Sequence, residues 1–316
     1  MDTPWLSVIM PCRNGEQWLA TALQSVVDQQ VAGIEVIFVD GSDTAHSYEI
    51  AQGFSDRLLM RIHRRPDLSS LMAKTNFAVS EARGKWIAML HVDDLWLPTR
   101  CAELIKWITD KPDAVMHLHP SYVIDQSGRR LWVWRCPLPN GRSAIPRGLL
   151  FGRLLVQNFI AIPGPTIRRD VYLSVGGLDN ELWFTSDWDL YFKISALGEV
   201  YYHPVPLACY RVHRGALTMS GSKNIADFRQ QYQIVVNRYA AKLDSQSRKE
   251  FLNLAQVSIN INTALASGMN GNFFYAFRAL LSMISLSPRS IYRYFAYSRI
   301  IDRAFPRVWA LFIGKF

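Results

Sequence analysis

Over its first 120 residues the chain alternates short apolar, β-rich runs with amphipathic helical patterns, and each run stops on a turn sequence. Leu6 to Met10 is the first run and breaks at Pro11-Cys12-Arg13-Asn14-Gly15, after which Trp18, Leu19, Ala22, Leu23, Val26 and Val27 recur at helical spacing. Ile34 to Val39 stops at Asp40-Gly41-Ser42. Leu58 to His63 precedes a helical stretch from about Ser70 to Glu81, and Trp86 to His91 ends on Val92-Asp93-Asp94. Pro98 then suits the first turn of a further helix. Strands joined through helices are parallel and buried, and such sheets collect ligand-binding residues in the crevice beyond the carboxyl ends of the strands. Asp40 and Asp93 both fall there.

The later sequence is less regular. Residues Asp113 to Arg135 predict two or three strands around a Gln126-Ser127-Gly128 turn, and the Pro- and Gly-rich stretch from Pro137 to Pro165 predicts an irregular connection placed to close over a substrate. A helix is expected from near Asp187 to Gly198, then strands through Val212. From about Lys223 the pattern is helical to the end, with Pro288 and Pro306 as breakers. This divides the 316 residues into a catalytic domain at 1–222 and a helical C-terminal region at 223–316.

With 49% hydrophobic and 19% charged residues the chain can bury a full core. The net charge of +9 suits a nucleoside diphosphate, an anionic membrane surface or nucleic acid, and no nucleic-acid motif supports the last. Cysteines 12, 101, 136 and 209 are too scattered for a metal knuckle or a disulfide framework, which favours a reducing cytosol. Neither a secretory leader nor a membrane-spanning run is recognisable, so the expected location is cytoplasmic, extending to the cytoplasmic face of a membrane. That extension comes from the tail. Arg289 to Phe316 holds five Arg and one Lys against one Asp, interleaved with aromatics. Arg293, Arg299, Arg303, Phe295 and Trp309 could seat an interfacial helix, or the same aromatics could pack on the catalytic domain or on a second subunit.

The blocks Leu6-Ser-Val-Ile-Met-Pro-Cys-Arg-Asn14, Phe38-Val-Asp-Gly-Ser42 and Gly84-Lys-Trp-Ile-Ala-Met-Leu-His-Val-Asp-Asp-Leu-Trp-Leu-Pro98 resemble, in order and spacing, those of the family 2 glycosyltransferases. Gly176-Gly-Leu-Asp179, Ser186-Asp-Trp-Asp-Leu190 and Tyr210-Arg-Val-His213 continue the series, so the resemblance spans roughly residues 5 to 215. It implies a GT-A type α/β domain with a mostly parallel mixed sheet. The implied activity is inverting transfer from a nucleotide sugar, a UDP-sugar foremost, to a glycan or lipid-linked hydroxyl in surface polysaccharide assembly.

By the same resemblance Asp93 is the metal-binding carboxylate, for Mn²⁺ or Mg²⁺, with Asp94 in support. A departing diphosphate develops negative charge that a divalent cation stabilises. His91 stands where the family commonly has Asp, and a histidine can bind Mn²⁺ or donate to the nucleotide. Asp40 matches the nucleobase-contacting Asp, although its loop is one residue shorter than usual. Pro11 and Arg13 lie where the family holds base and ribose, Asn76 with Lys74 on the donor side, and Arg211 and His213 beside the diphosphate. Asp187 matches the catalytic base, since a hydroxyl must lose its proton as it attacks. Asp189 is a supporting helix-start residue, and Trp183 and Trp188 could stack on an acceptor sugar or belong to the core. The alternative function is a nucleotide-sugar-binding protein without turnover. Nucleotidyl transfer lacks the Gly-rich phosphate loop it would need after the first strand.

Overall fold

A computed structural model describes residues 3–139, 143–216, 224–269 and 272–312. β1 (Leu6–Cys12), β2 (Ile34–Asp40), β3 (Leu59–Arg64) and β4 (Trp86–Met89) are parallel, joined through α1 (Glu16–Val27), α2 (His46–Gln52) and α3 (Leu71–Glu81). All seven residues of β1 are buried, because helices cover both faces of the sheet at its centre. The sheet order is β10-β6-β9-β4-β1-β2-β3, with β6 (Met116–Leu118), β9 (Thr166–Arg168) and β10 (Val200–Tyr202) completing it. β9 runs antiparallel between β4 and β6, so the sheet is mixed. The chain steps outward from β1 to β2 and β3 and then returns to β4 on the other side of β1, which opens a crevice at their carboxyl ends. The register puts Cys12 opposite Asp40 on its rim.

Beyond β4 the structure corrects two sequence expectations. The strand ends at Met89 rather than His91, and His91 to Asp94 forms a turn closed by the Asp94 N–H on the His91 carbonyl at 3.0 Å. β5 (Leu95–Trp96) follows, and α4 starts at Arg100 after a Thr99 cap, so Pro98 precedes the helix instead of opening it. Asp93 and Asp94 therefore cap no helix. β5 belongs to a second sheet, ordered β5-β11-β7-β8, with β7 (Ser121–Ile124), β8 (Arg130–Trp134) and β11 (Ala208–Arg211). The three strands β6, β7 and β8 fill the region where two or three were expected.

α5 (Arg147–Val156), α6 (Arg169–Ser174) and α7 (Ser186–Ser195) lie between the strands. The C-terminal part is α8 (Ile225–Ala240), α9 (Ser245–Met269), α10 (Phe274–Ile284), α11 (Pro288–Ser298) and α12 (Ile300–Phe312). The expected boundary at 222/223 lies outside the described residues. Phe228, Tyr232, Val235 and Tyr239 of α8 join the buried cluster under the main sheet, so this helix shares the hydrophobic core of the α/β domain. Pro288 begins α11, as a breaker should, whereas Pro306 sits inside α12. α12 survives the lost backbone bond because it is held from the side: the Trp132 indole donates to Asp302 Oδ1 at 3.0 Å and stacks near Phe305.

A histidine pair beneath β6 and β10 makes stability sensitive to acid. His117, fully buried, meets His203 at 3.1 Å, and the His203 ring stacks on Trp107 at 3.7 Å. Burial, and for His117 also its partner, pushes His117 down to about 3, and burial pushes His203 down to about 4. The unfolded chain takes up these protons near 6.5, the folded chain only far lower, so acid below 6.5 favours unfolding. The melting temperature, followed by circular dichroism, should fall as pH drops from 6.5 toward 4, and less steeply in His203→Phe, which keeps the stack on Trp107.

Candidate functional site

The crevice at the ends of β1, β2 and β4 is built by three interlocked turns. The Asn14 N–H donates to Ser42 Oγ at 2.7 Å, and Asn14 and Asp43 exchange two further bonds. Gly15 must be glycine: a Cβ there would lie 2.7 Å from Val92, so only a bare backbone lets α1 start against the carboxylate turn. At the end of β2, Asp40 is fully buried. Its Oδ1 accepts from the Ser42 N–H at 2.9 Å, while Oδ2 has no hydrogen-bond partner among the described residues. Arg13 is half exposed, 3.7 Å from Asp43, and Pro11 is buried in β1. Lys74 reaches this place beneath Gly41 and donates to the Leu68 carbonyl at 3.0 Å. Burial and nearby Arg13 lower its pKa.

His91, Asp93 and Asp94 each offer one ligand atom, all within 4.8 Å of one another. Asp93 Oδ2 lies 3.0 Å from His213 Nε2, and Asp94 Oδ1 accepts from the Arg211 N–H at 2.9 Å. Asp94 Oδ2 is buried without a hydrogen-bond partner among the described residues. Burial and the neighbouring Asp93 push the Asp94 carboxyl well above its ordinary range. At Asp93 burial acts the same way, yet the bond from His213 and the proximity of His91 hold the carboxyl below it. Burial also depresses His91, keeping its imidazole neutral and able to ligate. Two close carboxylates, one with an unmet oxygen, beside a neutral imidazole make a donor set that fits a divalent cation such as Mn²⁺ or Mg²⁺. Asp94 is thus part of the cluster itself.

Arg211 departs from the role its block implied. Its Nε donates to the Asp93 carbonyl at 2.7 Å, and Nη1 donates to the Asp125 and Gln126 carbonyls at 2.9 and 3.1 Å. Through Nε and Nη1 the guanidinium is bonded to backbone and fastens the carboxylate turn to the second sheet. His213 keeps its place beside Asp93, against the Trp18 ring at 4.4 Å. Asn76 also departs from expectation: its amide bonds Leu178 through both N–H and C=O and accepts from the Tyr172 hydroxyl, so it holds the Gly176-Gly177 turn instead of facing a donor.

Across the same cavity, of about 320 Å³, stands Asp187. Its Oδ2 accepts from Asn158 Nδ2 at 2.9 Å and Oδ1 from the Trp188 N–H at 2.8 Å. Burial outweighs these bonds and raises the carboxyl to about 6. Asp189 is buried and ties α7 to α8 through Arg238 at 2.6 Å and the Tyr239 hydroxyl at 2.8 Å. Trp183 is half buried on the cavity wall, its indole donating to Asp227 at 2.6 Å. Trp188 is almost wholly enclosed and bonds the Leu154 carbonyl, so it is core and offers no free face for stacking. Sequence reasoning missed Asn158, Tyr232, Arg303 and Arg307 on the cavity wall, and no local pattern marks them.

Arg211→Ala removes three charged hydrogen bonds worth roughly 1.5–3 kcal/mol each before water replaces them. A net loss of about 2–4 kcal/mol is expected in urea denaturation, with Arg211→Lys recovering less than half, because one ammonium cannot span the three carbonyls.

The glycosyl transferase family 2 model matches residues 7–174, more than half of the chain. An uncharacterized glycosyltransferase of Rickettsia prowazekii is 22% identical over 228 residues, covering 72% of this chain and 70% of its own length. One from Haemophilus influenzae is 24% identical over 196 residues, 60% of this chain and 61% of its own. Among solved structures, Staphylococcus aureus TarS 1–349 in complex with UDP-GlcNAc superposes with a TM-score of 0.63 at 14% identity, covering 98% of this chain and 92% of that one. The mannosyltransferase PcManGT from Pyrobaculum calidifontis, in complex with GDP-Man and Mn²⁺, gives 0.58 at 14%, covering 98% and 88%. The mixed sheet with its helical layers is accordingly the expected GT-A fold, and the chain belongs to glycosyl transferase family 2 and is a glycosyltransferase.

Proposed function

We propose that the chain is an inverting, divalent-cation-dependent transferase that moves a sugar from a nucleotide-diphosphate sugar to a hydroxyl of a growing surface glycan. One observation carries this reading: the His91-Asp93-Asp94 cluster and the desolvated carboxyl of Asp187 line a single cavity. The solved neighbours that hold UDP-GlcNAc, or GDP-Man with Mn²⁺, support a donor of this class.

Asp40 Oδ2 would accept a ring N–H from the base. Uracil and guanine offer one there and cytosine and adenine do not, which favours UDP- or GDP-sugars, with Arg13 and Lys74 near the ribose and phosphates. A cation bound at the cluster supplies charge neutralisation for the departing diphosphate. Asp187, oriented by Asn158, takes the hydroxyl proton as the acceptor oxygen bonds the anomeric carbon. The bond from that carbon to the diphosphate oxygen breaks, and its electron pair leaves with the nucleoside diphosphate. Attack from the face opposite the leaving group inverts the anomeric centre.

The exposed face of α10 favours peripheral contact with a bilayer. Phe274, Phe277 and Ile284 are 72%, 64% and 68% exposed, and no described helix is long and apolar enough to cross a membrane. Tyr292, Phe295 and Trp309 of the tail are exposed as well, so α10 adds to the interfacial strip expected of the tail. Arg293 pairs with Glu250 and Arg303 turns into the cavity, which leaves Arg278 as the cation on α10 itself.

Release of nucleoside diphosphate from a panel of donors with Mn²⁺ is the direct test. Asp187→Asn should lower turnover by about 10²–10⁴ while donor still binds, and a chain that binds donor without any release would be a non-catalytic binding protein. Because the base must be ionised, kcat/KM should rise with pH through about 6, with Asn158, Tyr191 and Arg303 the polar groups that face Asp187. Sedimentation with phosphatidylglycerol vesicles should drop on Phe277→Glu/Leu281→Glu, and unchanged binding would remove the membrane part.

A further inference from the structure

The cavity has a cationic wall that sugar transfer alone leaves unused. The Trp132 contacts that anchor α12 set Arg303 and Arg307 over the second sheet, each guanidinium carbon 5.6 Å from the centre of the Trp134 ring, and Arg307 also 5.9 Å from Tyr210. Neither arginine has a carboxylate partner among the described residues. Nε and Nη1 of Arg303 are shielded from water and make no hydrogen bond there, although Tyr232 lies within reach of the guanidinium. Arg307 Nη1 donates to the Arg303 carbonyl and its guanidinium reaches the Tyr210 hydroxyl, so the unmet donors are those of Arg303. A half-buried cation in that state, four residues from a second one, is costly to maintain without a counter-ion.

The position of that counter-ion is set by the neighbours. Arg303 acts electrostatically on Asp187, while Arg307 acts on Tyr210, which also feels Asp93 and Asp94, so the cationic wall runs between the Asp187 side of the cavity and the carboxylate cluster. The same cavity is walled by Ile160, Ile162, Phe228 and Leu265. A phosphate, with three terminal oxygens and up to two negative charges, answers two neighbouring guanidinium groups more fully than a carboxylate with two oxygens and one charge.

We propose that Arg303 and Arg307 bind the phosphate of an amphiphilic acceptor, whose apolar chain lies along Ile160, Ile162, Phe228 and Leu265. The inference rests on the transferase reading for the word acceptor, but the phosphate site stands on its own geometry. α9 carries Leu265 on this wall and packs against α10, whose exposed apolar face is the one read as meeting a bilayer, so an acceptor anchored in lipid would reach the cavity from that side.

Isothermal titration of the full chain with decyl phosphate below its micelle concentration, decyl maltoside and inorganic phosphate tests this, with UDP and GDP in Mn²⁺ titrated in parallel. Decyl phosphate should bind the wild type, at least about tenfold more weakly to Arg303→Gln or Arg307→Gln, with partial recovery in Arg303→Lys. UDP or GDP affinity should be the same in all variants. Equal decyl phosphate affinity in wild type and the Gln variants overturns the proposal, as does no binding to wild type. Inorganic phosphate or decyl maltoside binding as tightly as decyl phosphate overturns it as well. If Arg303→Gln melts below the assay temperature, Arg307→Gln and Arg303→Lys decide. Failure of both nucleotides to bind wild type would count against the donor reading and leave the decyl phosphate result to stand by itself.

Discussion

The buried guanidinium of Arg211 holds the carboxylate turn in place, and the rest of the site depends on it. The turn follows a strand of only four residues, and its two carboxylates repel each other in a poorly hydrated place. Three backbone carbonyls, from Asp93, Asp125 and Gln126, converge on this one side chain, which joins the turn after β4 to the loop between β7 and β8. Its own backbone N–H fixes Asp94, and two residues later His213 fixes Asp93. A single strand end in the second sheet thereby orients both acids of the first, which is the kind of supporting shell that metal sites require.

The other half of the site obeys a different constraint. Asp187 lies in the first turn of α7, where the Trp188 N–H and Asn158 satisfy its oxygens, yet burial still lifts the carboxyl to about 6. A carboxyl raised to that range suits the general-base role proposed for Asp187. Part of that enclosure comes from helices outside the segment that matches the family model. Tyr232, Leu265 and Arg303 belong to α8, α9 and α12. The C-terminal helices are therefore a wall of the candidate-site cavity as well as a surface, and Asp189, bonded to Arg238 and Tyr239, is the joint through which α7 holds α8.

Much of this was legible in the order of residues. Apolar runs of strand length punctuated by Gly, Pro and Asp located β1 to β3 within a residue or two, because a doubly covered parallel sheet tolerates little else. Asp40, Asp93 and Asp187 could be singled out because each follows a strand or opens a helix in a recognisable block. Asn76 and Arg211 show the limit of that method. Their blocks matched, but the atoms that bind ligand in such a block are decided by what stands opposite, and here the partners are the Leu178 backbone and three carbonyls. In the tail composition recorded charge without direction: Arg293 pairs with Glu250 and Arg303 lines the cavity, while Tyr292 and Trp309 stay exposed.

By itself the sequence determined the alternation of strands and helices, the crevice at their carboxyl ends and the acids that reach it. Those follow from periodicities of two and 3.6 and from turn chemistry, all local properties of the chain. Only the tertiary structure decided that Asp94 joins His91 and Asp93 in one cluster, that Trp188 is core, and that Arg303 and Arg307 turn inward from a helix more than a hundred residues beyond Asp187. The physical reason is that burial and pairing depend on contacts between distant segments, which no spacing along the chain encodes.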